Sequence, residues 1–484
     1  MLVIGLDVGT TGTKAIVCDE KGKILGNGYK EYELICDRAG FVSQKAADWW
    51  DAAIYAVRHA TENIDRSQIA AISLSTQGAS MLAADKYGNA LSEVITWMDN
   101  RAVAECEELD RTVGSETIYK KCGWRLTPAG DAAKIMWLRA NMRDVFDSAA
   151  CFPSTVEYMN FHLCGRYVTD PTNAAIRQLF NIETGEWDSE ILAAVGIGAD
   201  RLPEVMPIGA CVGNLTAEAA DALALSHDVK VYNGAHDQYC AALGCGAVNT
   251  GDMLLATGTT WVVLGVCDRL LYTKSHIAPG IHPAKGKFGA MASLVSAGSS
   301  LKWYKGIIDG NFAEMDAEAE KRAQSAKDLF FFPYLVGAGF PHNRPELHSS
   351  IFGLEVRHDK FDIARALMEG VAHETKLVLE EFSSQEMNIG TLMMTGGASR
   401  SRVWSEIVGY ITGCDIYRMN EPETCSVGAA MIAFSGAGVF ADYTECGRAM
   451  VRSEKLELPD KSMFEFYREK DARYRELLGL VLQS

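Results

Sequence analysis

At 484 residues, with 48% hydrophobic and 23% charged residues, the chain can bury several cores, and at roughly 150 residues per domain its length allows two to four domains. Its 46 Lys and Arg against 63 Asp and Glu leave a formal charge of −17, which makes nucleic acid a poor partner but still admits an anionic nucleotide held by backbone amides and a divalent cation. The N-terminal MLVIGLDVG has no basic segment, the apolar run at 429–440 is too short to span a bilayer, and the 13 scattered cysteines contain no CxxC pair, so a cytoplasmic chain of reduced thiols with no membrane partner is expected.

Residues 2–6 predict a short buried strand. A loop rich in Gly and Thr follows at 9–13, and residues 15–18 resume the strand pattern, so the chain opens on a β-hairpin. Residues 46–61 predict a helix, and 69–74 a second buried strand that ends at Ser75-Thr76-Gln77-Gly78. A strand at 94–97 runs into Asp99-Asn100-Arg101, and from about 110 to 225 helices alternate with irregular segments. The strand at 229–232 leads through Asn233-Gly234-Ala235-His236-Asp237 into an apolar helix at 238–243. Residues 254–256 then lead into Thr257-Gly258-Thr259-Thr260 and a strand at 262–266. The second half therefore opens as the first does, with strand, Gly/Thr loop and strand. This echo predicts two related α/β domains, 1–246 and 247–484, with a cleft between them.

Five segments have residue types suited to chemistry. In Asp7-Val8-Gly9-Thr10-Thr11-Gly12-Thr13-Lys14 the glycines permit a tight turn, while backbone N–H groups and threonine hydroxyls suit phosphate. Asp7 at the strand end suits Mg²⁺ held through water. A plain hairpin turn with a solvated Asp would read the same, and the segment is not a Walker A loop. Thr257-Gly258-Thr259-Thr260 has the same character and the same alternative. In His236-Asp237-Gln238, Asp237 stands between strand and helix, where α/β ligands collect and a carboxylate can take a hydroxyl proton; a helix N-cap is the competing reading. Thr395-Gly396-Gly397-Ala398-Ser399 would let a flat ring or a phosphate lie on backbone, or would simply turn the chain into a helix capped by Ser399. Gln77, with the Trp97-Met98-Asp99-Asn100-Arg101 segment, offers amide, carboxylate and aromatic partners for a polyhydroxylated ligand. Asp99 could equally cap the next helix, and Trp97 could equally be core.

Together and in this order, the segments resemble the FGGY carbohydrate kinases of the actin-like ATPase superfamily. The most specific piece is SSIFGLEVRHDKFDIARALMEG at 349–370, which is similar to that family's C-terminal signature. The family's other signature is matched at its core by Lys134-Ile135-Met136-Trp137-Leu138, although Asp131 stands where Pro, Ser or Thr is usual. WMDNR resembles the WNDxR of xylulokinases, and GAHDQ resembles the segment that carries the family's catalytic Asp.

The resemblance implies two actin-like (ribonuclease H-like) ATPase domains closing on ATP, Mg²⁺ and a sugar, with the sugar on the first domain and ATP on the second. It implies Asp237 as catalytic base and Asp7 as metal anchor. Gly9, Thr10, Thr11, Gly12, Thr13, Lys14, Thr257, Gly258 and Thr259 would surround the phosphates, with Gly396, Gly397, Ala398 and Ser401 on the adenine side. Gln77, Gly78, Trp97, Asp99, Arg101, His236, Asp237 and Gln238 would contact the sugar. Many family members form dimers, so the expectation of a homodimer rests on the resemblance alone.

The chain also departs from the pattern. Xylulokinases carry Gln-Met-His-Gly where this chain has Gln77-Gly78-Ala79-Ser80. Glycerol kinases carry Arg and Glu at those positions, and a Tyr about where Ala129 stands. Gly78 and Ala79 are therefore expected to leave extra room. A ketopentose such as xylulose is the first expectation for the substrate; a tetritol, a hexulose or gluconate is the alternative. A non-catalytic regulator on the same fold, or an ATPase acting on a protein partner, is a more distant one.

Overall fold

The computed structural model describes residues 1–483, and the chain divides into two units. The first comprises Met1–Val248, Ala278–Gly289 and Glu423–Val451; the second comprises Asn249–Ile277, Ala290–Pro422 and the chain from Arg452 on. Where the sequence suggests one boundary near residue 246, two later segments instead return to the first unit. The helix Thr424–Gly436 shows why. It has almost no polar face, and Thr424 and residues 426–434 are buried, so it can be stable only inside a core. Close backbone contacts hold it there. A Cβ on Gly428 would stand 1.9 Å from the Cys240 carbonyl oxygen, and one on Gly5 would stand 1.9 Å from that of Ser426.

The first unit is built on a six-stranded sheet. Its strands are β1 (Leu2–Val8), β2 (Gly12–Cys18), β3 (Ile24–Glu31), β4 (Ile69–Thr76), β5 (Cys211–Asn214) and β6 (Lys230–His236). They lie in the order β5-β6-β4-β1-β2-β3. β1 and β2 are antiparallel with Asp7 opposite Lys14. β1 and β4 are parallel with Asp7 opposite Ser75, and β6 joins β4 in parallel with His236 opposite Thr76. The register thus sets these polar residues side by side at the carboxyl ends of the parallel strands, where open α/β sheets bind ligands. Ile4, Leu6, Ile72 and Leu74 form one core with Trp49 and Val57 of the helix Ala46–Ala60.

In the second unit, β7 (Met253–Thr257), β8 (Trp261–Cys267), β9 (Thr391–Gly396), β10 (Asp415–Met419) and β11 (Ser453–Lys455) follow the order β8-β7-β9-β10-β11. β7 pairs antiparallel with β8 and parallel with β9, β10 continues in parallel, and β11 closes the run antiparallel. These five strands of a seven-stranded sheet repeat the pairing pattern of five strands in the first sheet, so the echo seen in the sequence extends well beyond the hairpins. Each half is the α/β architecture of an actin-like domain.

The 349–370 segment leads into the helix Lys360–Ser383, whose start is fixed by a reciprocal cap between Asp359 and Asp362. On that helix, buried Glu369 accepts hydrogen bonds from Arg365 Nε at 2.8 Å, Tyr467 Oη at 2.8 Å and Lys470 Nζ at 2.6 Å. The last two belong to the helix Ser462–Val481, so a charged network ties the C-terminal helix down. Among the described residues no helix is long and apolar enough to cross a membrane.

Candidate active site

In the first unit, Asp7 is the next-to-last residue of β1, and its Oδ1 accepts a hydrogen bond from Ser75 Oγ at 2.7 Å. Burial pushes the Asp7 carboxyl up to about 7; Ser75 and Lys14 pull it down, while the charges of Asp237 and Glu423 push it further up. Lys14 is bonded to Glu423. Burial works against its charge, but Glu423 and Asp7 hold its ammonium above the usual lysine range.

Asp237 is the first residue of the helix Asp237–Gly244. The N-cap position belongs to His236, which makes no side-chain capping bond, so the Asp237 carboxylate is not used as a cap. Its Oδ1 is buried and has no hydrogen-bond partner in the protein, and the same is true of His236 Nδ1 and Gln238 Oε1. His236 Nδ1 lies 3.4 Å from Asp237 Oδ1. A buried polar atom left unpaired costs about 1–3 kcal/mol. The three atoms belong to consecutive residues at the end of a parallel strand, the part of an open α/β sheet where ligands bind.

The first Gly/Thr loop is closed by the Gly9 N–H, which donates to the Gly12 carbonyl at 3.1 Å. Thr11 is exposed at its tip, whereas Thr13 points into the protein. Gly12 has no room for a side chain, since a Cβ would stand 2.7 Å from the Lys30 carbonyl oxygen. Gln44 Nε2 donates to the Thr10 carbonyl at 2.6 Å, and Trp97 Nε1 donates to Thr10 Oγ1 at 2.9 Å. Trp97 therefore buttresses the loop, and 44% of it remains exposed beside it.

The residues expected to face the sugar divide into two sets. Gln77 is buried, donating to Gln44 Oε1 at 3.2 Å and accepting from Ser80 Oγ at 3.2 Å. Asp99 is fully buried. Its oxygens accept from the Val42 N–H at 2.6 Å and from the backbone and guanidinium of Arg101 at 2.8–3.0 Å. Those donors occupy the carboxylate, so Asp99 positions Arg101, whose guanidinium also donates to Ser43 Oγ at 2.7 Å and lies 4.2 Å from the Phe41 ring. The extra room expected at Gly78 is not there. A Cβ on Gly78 would stand 2.6 Å from His236 Cδ2 and 2.9 Å from Ile176 Cγ2. The imidazole of His236 fills the space that the small residue leaves.

In the second unit a pocket of about 570 Å³ is lined by Thr257, Gly258, Thr259, Gly397, Ala398 and Ser401, together with residues from surrounding helices. Thr257 organises it. Its hydroxyl donates to the Thr395 carbonyl at 2.6 Å and accepts from the Ala398 N–H at 3.1 Å, and its carbonyl accepts from the Gly397 N–H at 2.9 Å. Gly396 stands behind the pocket with φ 93, and a Cβ there would stand 2.9 Å from the Thr257 carbonyl. Ser401, not Ser399, caps the next helix, accepting from the Trp404 N–H at 3.1 Å. Sequence reasoning missed Lys302, Phe312, Asp316, Arg400 and Trp404 on the wall. Burial pushes the Asp316 carboxyl up, opposed by its hydrogen bond with Ser401. No motif announces these residues, because three separate helices and a turn bring them together.

Among the described residues no group of three or more His, Cys, Asp or Glu side chains is placed to hold a metal ion. Asp7 nonetheless suits a hydrated divalent cation: it is a single carboxylate, raised by burial and crowded by two other carboxylates. A cation acting through water would relieve that crowding.

Residues 2–244 match the FGGY family of carbohydrate kinases, N-terminal domain, and residues 253–437 match the C-terminal domain of the same family. A xylulose kinase of Bacillus subtilis is 28% identical over 480 residues, covering 96% of this chain and 96% of its own. A glycerol kinase of Saccharolobus islandicus is 29% identical over 476 residues, covering 95% and 93%. Among solved structures, a ligand-bound xylulose kinase from Lactobacillus acidophilus superposes with a TM-score of 0.93 at 26% identity, covering 100% of this chain and 99% of that one.

Proposed function

This chain belongs to the FGGY family of carbohydrate kinases, and from that premise we propose that it transfers the terminal phosphate of ATP to a hydroxyl of a ketopentose, with xylulose as the first candidate. The observation that carries the reading is Asp237: a carboxylate at a strand-to-helix junction, not used as a cap, with a buried oxygen that accepts no protein hydrogen bond and has His236 Nδ1 beside it at 3.4 Å. In this proposal Asp237 takes the proton of the attacking hydroxyl. In the first unit, Gly9, Thr10, Thr11, Gly12 and Lys14 offer phosphate backbone N–H groups, hydroxyls and one ammonium; in the second unit, Gly258 and Thr259 offer backbone N–H groups and a hydroxyl. The pocket of the second unit takes the nucleotide base against Gly397 and Ala398. Asp7 holds Mg²⁺ through water, and the bound cation supplies positive charge that offsets the charge shifting onto the leaving phosphate. The work left to the side chains is positioning and proton removal.

Xylulose is favoured because xylulose kinases stand among both the sequence relatives and the solved structures. The glycerol kinase relative supports a small polyol as a second reading; Ala129, standing about where glycerol kinases have a Tyr, speaks against it. A coupled assay of ADP release across pentuloses, hexuloses, tetritols, glycerol and gluconate decides between them. Turnover with xylulose at least tenfold above the others in kcat/KM is expected. Turnover with a hexulose, tetritol or aldonate and none with any pentulose would overturn the ketopentose assignment.

A further inference from the structure

The helix Thr424–Gly436 brings into the first unit a carboxylate that no sequence motif announces and that the kinase reading leaves without work. We propose that Glu423 is a positioning residue, whose carboxylate holds the Lys14 ammonium in the place where that ammonium meets a phosphate of ATP. The inference rests on the kinase reading above and adds a residue to it.

Three observations carry it. First, the carboxylate does not serve its own helix. Glu423 occupies the N-cap position of Thr424–Gly436 and makes no side-chain capping bond there, and Glu is not among the residues that favour that position. It is bonded to Lys14 instead, 409 positions away in the chain. Second, its place is set by backbone packing. Glu423 is the first residue of the segment that returns to the first unit, and the helix behind it lies directly on its neighbours. A Cβ on Gly5 of β1 would stand 1.9 Å from the Ser426 carbonyl oxygen, and one on Gly244 would stand 2.0 Å from that of Thr424. Those contacts fix the start of the helix against β1 and against the helix Asp237–Gly244. Third, Lys14 is a side chain that gains from an anchor. Its backbone is in register with Asp7, but 31% of its side chain is exposed, on a flexible four-carbon stem that loses conformational entropy when it is ordered. The Tyr29 ring, 5.6 Å from Nζ, holds it in no particular direction. An ammonium has three N–H donors. Glu423 engages it from a fixed point and leaves donors for phosphate oxygens, so the stem is ordered before ATP arrives.

A carboxylate that merely competed with phosphate for Lys14 would act in the opposite direction, so the sign of one substitution separates the two. Glu423→Ala should lower kcat/KM for ATP by about tenfold or more and weaken ATP binding measured by calorimetry without sugar, while the KM for the sugar stays within about twofold. Glu423→Gln, whose amide oxygen can accept from the ammonium at the same reach, should recover most of that loss. In a Lys14→Met background Glu423→Ala should add no further loss, because a residue that acts through Lys14 has nothing left to act on. The melting temperature should hardly move, since an ion pair this open stabilises little. Unchanged or tighter ATP binding in Glu423→Ala, no recovery in Glu423→Gln, a further loss in the Lys14→Met background, or a large drop in melting temperature would each overturn the assignment of Glu423. Absence of sugar-dependent ADP release from the unaltered enzyme would instead fall on the kinase reading, and ATP calorimetry on the same variants would still test Glu423 by itself.

Discussion

Replacing Asp237 with Asn separates catalysis from folding, because this carboxylate has little structural employment beyond the His236 Nδ1 that lies 3.4 Å from it. It caps no helix, its Oδ1 has no hydrogen-bond partner, and its charge pushes Asp7 upward. The amide keeps the shape, removes the base and removes one of the crowded negative charges. A positioned general base contributes about 10²–10⁴ in rate, which at 1.36 kcal/mol per tenfold is about 2.7–5.4 kcal/mol of barrier. At saturating sugar and ATP, kcat should therefore fall by at least a hundredfold. The melting temperature should stay level or rise slightly, because no hydrogen bond is lost and a repulsion is relieved. The Asp7 carboxyl should drop from about 7 yet remain above the ordinary carboxylate value, since burial is the largest cause of its shift and the substitution does not touch it. Coupled ADP release gives kcat, calorimetry gives ATP affinity, and ¹³C NMR of the Asp7 carboxyl gives its titration. A variant with kcat within tenfold of the unaltered enzyme, and an intact fold, would refute Asp237 as the base.

Two further predictions follow from other titrating groups. Asp7 is raised to about 7 from an ordinary value of 3.8, so between about pH 4 and 7 the folded chain holds a proton that the unfolded chain has released; this contribution to stability is complete below that window and is lost as pH rises through 7. Asp7→Asn should accordingly raise the melting temperature more at pH 8 than at pH 4.5, and equal shifts at the two pH values would count against a raised Asp7. Glu369 has the opposite sign: burial pushes its carboxyl up, but Lys470 and Arg365 outweigh burial and hold it below the ordinary range, so its contribution is present at neutral pH and fades as pH falls. Glu369→Ala, which leaves two buried cations without their carboxylate, should cost about 3–5 kcal/mol in urea unfolding at pH 7, and a loss below 1 kcal/mol would show that the network does not hold the C-terminal helix.

Much of this arrangement was legible in the sequence because its signals are local. Two Gly/Thr loops between short apolar runs announced two hairpins, and an Asp between a strand and an apolar helix announced the candidate base. What could not be read depends on residues far apart in the chain. The helix Thr424–Gly436 announces burial by its uniform apolarity, but nothing in its sequence says that it is buried in the first unit. Asp131, which breaks the family's usual Pro, Ser or Thr, is explained only when Arg177 is seen beside it, donating from Nε at 2.8 Å with both side chains fully buried. Asp99 looked like a ligand for a sugar hydroxyl until the Val42 N–H, 57 positions away in the chain, was found to be one of its hydrogen-bond donors. Space itself is also invisible in sequence: Gly78 reads as a vacancy, and only the fold reveals that an imidazole from another strand fills it.

The same comparison explains why the turn after β4 can lose its large side chains without becoming loose. Gln77 is bonded to Gln44 and Ser80, and Ser80 Oγ also accepts from the Trp97 N–H at 3.2 Å. Ala79 sits at φ 49, a conformation that costs a residue with a Cβ about 1–3 kcal/mol and persists only where its surroundings enforce it. The enforcing group is Lys134, fully buried, whose Nζ donates to the Ala79 carbonyl at 2.6 Å and whose ammonium burial lowers to about 8. Its charge is offset by Asp131, whose Oδ1 lies 3.8 Å away and is equally buried, so the ammonium can be held against that carbonyl inside the protein. With the turn pinned from several sides, Gly78 becomes a fixed floor, and His236 lies on it at a set distance from Asp237.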